Sequence, residues 1–305
     1  MEKELKMKIK RRKLVITGAA LPGVVLAGCG GGWQHDIPES GAPAIPGMTL
    51  LRTMTLDGTG MYRWGDGTKA LQKTPPTPPR VNSTEIPKNV PNGWPGYIEF
   101  AQDPLGERGT VMLSSVDPST PILKNNRSEI YSFSEPARKG TPVVRVYSYG
   151  VMVPSESEFV APDRFFSLQQ LHDMPDPGDS ARWPNMILMA GAGEFRVYLP
   201  LVNPPAQDPR NRVAGRYPLV RNKWYDIRVH INISVENDGW LKVYIDDNLI
   251  VDESGHATQY DDTEGPNFKL GVYNIWGHKD NYNLQTGKIA RAYFSNCWHY
   301  TPTAI

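Results

Sequence analysis

Three short segments, far apart in the chain, carry side chains that can move protons and hold negative charge. They are NRSEIY (126–131), LQQLHD (168–173) and NFKLGVYN (267–274). Read as strands, whose side chains alternate between faces, each puts its reactive residues on one parity. Arg127, Glu129 and Tyr131 share a face opposite Ile130; Gln170 and His172 share one opposite Leu171; Lys269 and Tyr273 share one opposite Phe268, Leu270 and Val272. Arg and Lys neutralise carboxylates, a Gln amide donates without adding charge, and His exchanges protons near neutral pH. A sheet with an apolar back and this front reads as an open polar groove, the layout of an enzyme acting on an acidic polymer.

The elements that must position these residues are strands throughout, with no convincing amphipathic helix. The clearest is 224–233, where Tyr225, Ile227, Val229, Ile231 and Ile233 alternate with Asp226, Arg228, His230 and Asn232. It is followed by a turn at Asn237-Asp238-Gly239, a strand over 240–245, a turn at Asp246-Asp247-Asn248 and a short strand over 249–252. Further strands are expected over 143–153, 186–190, 194–199 and 288–300. Many strands at turn-punctuated spacing imply an all-β sandwich or jelly roll. From about Met48 onward no linker separates two cores, and a Pro-rich stretch from Thr74 to Pro95 reads as a surface excursion within one domain.

The N-terminus has a different character. A basic stretch (Lys3 to Lys13) precedes an apolar run from Leu14 to Leu26 and then Leu26-Ala27-Gly28-Cys29. The run is too short to span a bilayer, which takes about 20 apolar residues, and it reads as a signal peptide. Leu-Ala-Gly-Cys resembles the bacterial lipobox, which makes Cys29 the expected lipidation site. Arg11-Arg12 leaves both the general secretory and the twin-arginine route open. The expected organisation is therefore a signal peptide over 1–29, a Gly/Pro-rich tether over 30–46 and a single catalytic domain over 47–305. This describes an exported bacterial lipoprotein, held by its lipid at the outer membrane or periplasmic face. Gly30, rather than Asp, after the Cys favours the outer membrane.

Of 33 Lys and Arg and 32 Asp and Glu, the first 28 residues hold seven and two respectively, so the remainder is mildly acidic. That excludes a generally basic polyanion binder and argues against nucleic acid as a partner; any grip on an acidic ligand must be local. With Cys29 lipidated, Cys297 has no intrachain disulfide partner and is expected to be a buried, inert thiol. A monomer is expected.

In chain order the three segments resemble the motifs of the jelly-roll polysaccharide lyases of the alginate lyase type: Arg127-Ser128-Glu129, Gln170-Leu171-His172 and Phe268-Lys269-Leu270-Gly271-Val272-Tyr273. The heparin lyase I and glucuronan lyase families share that fold and related motifs. The likeness covers the chain from about residue 97 onward. It departs from the alginate lyase pattern at Tyr131, near where a second Arg is usual, at Asn267, where a Tyr is usual, and at Ile275, where a Gln is common. What the resemblance implies is a concanavalin A-like jelly-roll β-sandwich that cleaves a uronic-acid polysaccharide by metal-independent β-elimination, with no cofactor. It assigns catalysis to His172 as base, Tyr273 as acid, and Arg127 and Gln170 as carboxylate neutralisers. Lys269 would hold a neighbouring sugar's carboxylate or sulfate, Glu129 would orient Arg127, and Tyr131 would contact substrate. The sugar is left open among alginate, glucuronan, heparin or heparan sulfate and other uronate polymers.

Plainer readings stand beside these. Arg127 with Glu129 makes an ordinary ion pair, His172 a hydrogen-bonded structural residue, Tyr273 a strand cap and Lys269 a solvated charge. The competing class is a non-catalytic glycan-binding lipoprotein of the same fold. A glycoside hydrolase needs two carboxylates flanking the bond, and no Glu-x-Asp-x-x-Glu strand supplies them. The six His show no metal-ligand spacing, and Gly-x-Ser-x-Gly, phosphate-loop and dinucleotide fingerprints are missing. Asp246, Asp247, Asp252, Glu253, Asp261, Asp262 and Glu264 read as turn residues, solvated or around a structural calcium. Two long segments, 174–184 and 200–218, carry Arg182, Arg210, Arg212 and Arg216, and read as loops that either border the groove or merely cross the surface.

Overall fold

The structure is a computed structural model, and it describes residues 42–55, 63–65, 96–116, 127–135, 140–158, 165–180, 183–200, 213–273 and 289–304. All of these lie in one compact unit, Ile37–Ile305. Fifteen strands are formed among the described residues: β1 (Met48–Thr55), β2 (Arg63–Gly65), β3 (Gly96–Gln102), β4 (Thr110–Val116), β5 (Arg127–Ser134), β6 (Val143–Met152), β7 (Phe166–Met174), β8 (Met186–Gly191), β9 (Glu194–Tyr198), β10 (Val213–Pro218), β11 (Trp224–Ile233), β12 (Trp240–Ile245), β13 (Asn248–Ser254), β14 (Glu264–Tyr273) and β15 (Ala290–Pro302). They make two antiparallel sheets. The back sheet runs β13-β12-β11-β6-β15-β1-β2, with β4 beside the first half of β15 and β3 beside β4; the front sheet runs β10-β9-β8-β7-β14-β5.

Alternation decides what faces inward. On β11, Tyr225, Ile227, Val229, Ile231 and Ile233 enter the core, as their spacing predicts. They meet Leu168, Leu171, Leu188, Phe195, Val197, Phe268, Leu270 and Val272 from the front sheet. Aromatic pairs tie the layers together: Tyr147 stacks on Phe268 with ring centroids 4.6 Å apart, and Phe195 meets Tyr225 edge-on at 5.0 Å, contacts that add to simple area burial. Cys297 is fully buried in this core, and burial pushes its thiol pKa up, so it is inert.

Several expectations need adjustment. The segment 200–218 is not loop throughout, because Val213–Pro218 forms β10 against β9. The expected tether does not run to residue 46: Ala42 and Ile45 are buried, and Tyr300 Oη donates to the Pro43 carbonyl at 2.7 Å, so packing onto β15 has begun by Ala42. Asp246 and Asp247 do form the β12–β13 turn, both with positive φ (48° and 63°), as a two-residue hairpin requires. Asp252, Glu253 and Glu264 lie in strands instead, and Asp262 is buried. Cys29, the stretch from Thr74 to Pro95, Arg182, Arg210, Arg212 and Ile275 lie outside the described residues.

A buried charged cluster joins the sheets where β5 ends. Glu135 Oε2 accepts from Arg145 Nε at 3.0 Å, and Oε1 accepts from Tyr147 Oη at 3.3 Å and has His299 Nε2 2.9 Å away. Burial alone would raise the Glu135 pKa, but His299 and Arg145 outweigh it and hold the carboxyl at about 2 against an ordinary 4.5. A lowered folded-state pKa contributes stability that is complete above the unfolded value and fades as pH falls. Unfolding free energy is therefore expected to drop by about 3 kcal/mol between pH 5 and pH 2 through this group. Denaturant titrations of the wild type and Glu135→Gln across that range would show it as a steeper acid slope in the wild type; parallel slopes would contradict it.

Candidate active site

The register of the front sheet brings the three chemistry-bearing segments side by side. β14 is the middle strand, paired with β5 on one edge and β7 on the other. Lys269 stands opposite Tyr131 on β5 and opposite Gln170 on β7; Tyr273 stands opposite Arg127 and Ser167; Asn267 stands opposite Ser134 and His172; Gly271 stands opposite Glu129. Directly opposed residues share a face, so all seven of the sequence-nominated residues from these strands converge on the side away from the core. Arg127 and Tyr131 are placed here by register alone.

This face is less open than the sequence suggests. Glu129, Gln170, Lys269 and Asn267 are buried, whereas His172 and Tyr273 are half-exposed. Lys269, at 4 % exposure, is therefore no solvated surface charge. Gln170 Nε2 donates to Glu129 Oε1 at 2.5 Å, which ties β7 to β5 across β14. The Glu129 carboxylate thus fixes the Gln170 amide, a contact the sequence reading did not foresee.

His172 has a defined tautomer. Its Nδ1 lies 2.5 Å from the Asp173 carbonyl oxygen. A carbonyl can only accept, so Nδ1 carries the proton, and the neutral ring keeps its lone pair on Nε2. The strand end that carries this ring is anchored from behind. Asp173, fully buried, accepts from Asn185 Nδ2 at 3.0 Å and from Tyr260 N at 2.7 Å, and Asn185 Nδ2 also reaches the Thr258 carbonyl at 2.8 Å. The sequence offered one signal for Asp173, a carboxylate on the core parity of an apolar strand; it offered none for Asn185.

The β14–β5 pairing depends on a glycine. Gly271 has φ +141°, and a Cβ there would collide with the Ser128 carbonyl oxygen and come within 2.7 Å of Glu129 Cα. One residue on, the Ser114 hydroxyl of β4 bridges the two strands, accepting from Val272 N at 2.9 Å and donating to the Ser128 carbonyl at 2.5 Å. Gly271→Ala would force β5 and β14 apart in the middle of the site. The expected cost is about 3 kcal/mol or more, a fall in Tm of about 10 °C, read by thermal unfolding. An unchanged Tm would mean the close approach is not maintained.

Tyr273 packs its ring on a second apolar cluster, on the same outer face, formed by Phe165, Ile187, Met189 and Tyr198 with Trp183 and Val213 alongside. The polar patch thus abuts a buried aromatic and aliphatic cluster across β8 and β9, with Trp183 and Val213 partly exposed beside it. Among the described residues no group of three or more His, Cys, Asp or Glu could hold a metal ion. The chemistry the arrangement supports is proton transfer at an anionic ligand: an imidazole with a lone pair on Nε2, a phenol and a buried ammonium on one face, with Arg127 opposite Tyr273 in the strand register.

Comparison with known proteins agrees with this fold. Among curated proteins, none matches the chain in sequence. The endo-β-1,4-glucuronan lyase from the fungus Trichoderma reesei superposes with a TM-score of 0.54 at 16% identity, over 69% of this chain and 92% of that one, and shares its jelly-roll fold. Alginate lyase A1-II′, a member of polysaccharide lyase family 7, gives 0.49 at 14% identity over 67% and 84%. The marine PL-14 alginate lyase from Aplysia kurodai gives 0.47 at 14% identity over 68% and 91%. The polysaccharide lyase family model matches residues 92–297, more than half of the chain and the whole of the three-strand site. This all-β jelly-roll protein belongs to the polysaccharide lyase family.

Proposed function

We propose that this chain cleaves a uronic-acid polysaccharide by β-elimination, with His172 as base and Tyr273 as acid. The observation that carries the reading is the register of β5, β14 and β7, which sets Arg127, Tyr273, Lys269, Gln170 and His172 on one face. The C5 proton of a uronate is hard to remove because the adjacent carboxylate is already negative and gains charge as the proton leaves. Neutralising that carboxylate is the first requirement. Arg127 supplies a fork of donors, and the Gln170 amide, set by Glu129, adds a neutral one. His172 Nε2 takes the proton from C5, the electron pair forms the C4–C5 double bond, the C4–O bond breaks, and the Tyr273 hydroxyl protonates the departing oxygen. Lys269 holds a carboxylate or sulfate of an adjacent sugar, and Tyr131 borders it. Glucuronan, a uronate polymer, is the substrate in the name of the Trichoderma reesei protein, and its counterpart here is of that chemical class. The N-terminal sequence supports export and lipid anchoring at Cys29, which would hold the domain at a membrane surface.

The test is ultraviolet absorbance of the protein, lacking residues 1–29, mixed separately with glucuronan, alginate, heparin and heparan sulfate. A rise on one of them reports the conjugated unsaturated uronate and fixes both reaction and sugar. Binding without any rise would replace the lyase reading with glycan capture.

A further inference from the structure

The polar patch is not the only charged feature on this face. On β9, Glu194, Arg196 and Tyr198 alternate with core residues Phe195 and Val197, and on β10 Arg216 stands directly opposite Arg196. A single carboxylate oxygen, Glu194 Oε1, accepts from Arg196 Nε at 2.6 Å and from Arg216 Nη1 at 2.6 Å. Arg196 also lies over Phe165, its Cζ 3.8 Å from the ring centroid, a packed position that fixes the guanidinium. Two guanidiniums on one carboxylate leave a net positive charge, and each guanidinium has five N–H donors, more than Glu194 can use. The Arg216 side chain is 53% exposed.

Pairing registers connect this pair to the acid and base. Tyr273 is opposite Ser167, Ser167 opposite Met189, Met189 opposite Arg196, and Arg196 opposite Arg216, so these residues form one row across the sheet. The adjoining row runs Lys269, Gln170, Ile187, Tyr198. Arg196 lies three strands from Tyr273, about 14 Å, too far to hold the sugar being cleaved. Between them Ile187, Met189 and Tyr198 are buried, and Trp183 and Val213, packed against them, stay partly exposed, an apolar surface that suits the face of a pyranose ring.

We propose that Arg196 and Arg216, fixed by Glu194, form a distal subsite for the carboxylate or sulfate of a sugar flanking the cleaved one. The polymer then lies across the strands, along the row from Tyr273 to Arg216. This rests on the lyase reading for its substrate class. The subsite makes long anionic chains better ligands than short ones, and it does so through the dissociation rate and KM rather than through the chemical step.

The experiment measures affinity by calorimetry in a His172→Ala background, which prevents cleavage, using hexa- and trisaccharides of glucuronate and of alginate, with cellohexaose as a neutral control. Arg216→Gln is expected to weaken the preferred hexasaccharide about tenfold, to leave the trisaccharide within twofold and to flatten the salt dependence; Arg216→Lys should restore part of the loss, and Arg196→Gln should reproduce it. An unchanged hexasaccharide affinity, an equal loss on the trisaccharide, or no binding of either anionic hexasaccharide by the parent overturns the subsite. The lyase reading is judged separately by ultraviolet absorbance in the wild type, so a chain that cleaves normally but shows no Arg216 effect refutes the subsite alone.

Discussion

Replacing His172 with Ala is expected to remove turnover while the protein still folds and still binds its polymer. The ring is partly exposed and belongs to none of the core clusters, and its Nδ1 contact is local, to the carbonyl of the next residue. Losing such a side chain costs about 0.5 kcal/mol or less, a shift in Tm of about 2 °C at most. Losing a general base costs about 10²–10⁴-fold in rate, so the two roles separate cleanly. The hydrogen bond from Nδ1 to the Asp173 carbonyl sharpens the expectation, since it leaves Nε2 as the basic nitrogen of the neutral ring. The checks are initial rates by ultraviolet absorbance and a melting curve. Near-normal turnover in the variant would remove His172 from the mechanism; a large Tm loss would make it structural.

The same geometry shows what sequence could and could not convey. Strand periodicity was legible wherever one face is core and the other is not: β11, β12, β6 and β15 lie within two residues of where alternation puts them. It failed where the pattern is uniform or interrupted. β4, TVMLSSV, is buried on both faces along most of its length and so has no alternation to read. β10, VAGRYP, contains Gly and Pro inside a Pro-rich stretch and reads as loop. That omission left Arg216 on a loop with no fixed place and hid its register opposite Arg196, although Glu194, Arg196 and Tyr198 already showed a polar parity on β9. Within each reactive segment the face assignment was legible, because parity is a local property. The pairing was not: that β14 lies between β5 and β7, and that Lys269 meets Gln170, follows from non-local register and from bulges at Ser167/Gln169 and Leu270/Tyr273. Those irregularities re-aim side chains at the site, and a one-residue slip would turn every one of them to the core.

Partner contacts also escaped the sequence for a physical reason. Glu129 reads as the natural counter-ion of Arg127, two residues away on one parity. In the folded sheet it receives the Gln170 amide from 41 positions further along the chain. Asn185 likewise has no local pattern, yet its amide holds both Asp173 and the Thr258 carbonyl behind His172. Hydrogen-bond partners of buried polar groups are set by packing, and packing is what the linear pattern records least.

Tyr273→Phe gives the second large effect, and it isolates a single hydroxyl. The Tyr273 ring packs on Phe165, Ile187, Met189 and Tyr198, so Tyr273→Ala would lose both apolar contact and chemistry and would leave the cause of any loss ambiguous. Phe keeps the ring and the contacts, and melting should stay within about 2 °C of the wild type. What disappears is the proton donor opposite Arg127 in the row. If the hydroxyl protonates the leaving C4 oxygen, kcat should fall by about 10²–10⁴-fold with KM nearly unchanged, because the group acts where charge develops in the transition state and adds little to ground-state binding. A second comparison tests the assignment from the substrate side. A uronate bearing a good leaving group at C4 needs little proton donation, so Tyr273→Phe should act on it almost as well as the wild type, whereas His172→Ala should remain inactive on it. Equal losses on both substrates would assign Tyr273 to binding or to proton abstraction rather than to leaving-group protonation.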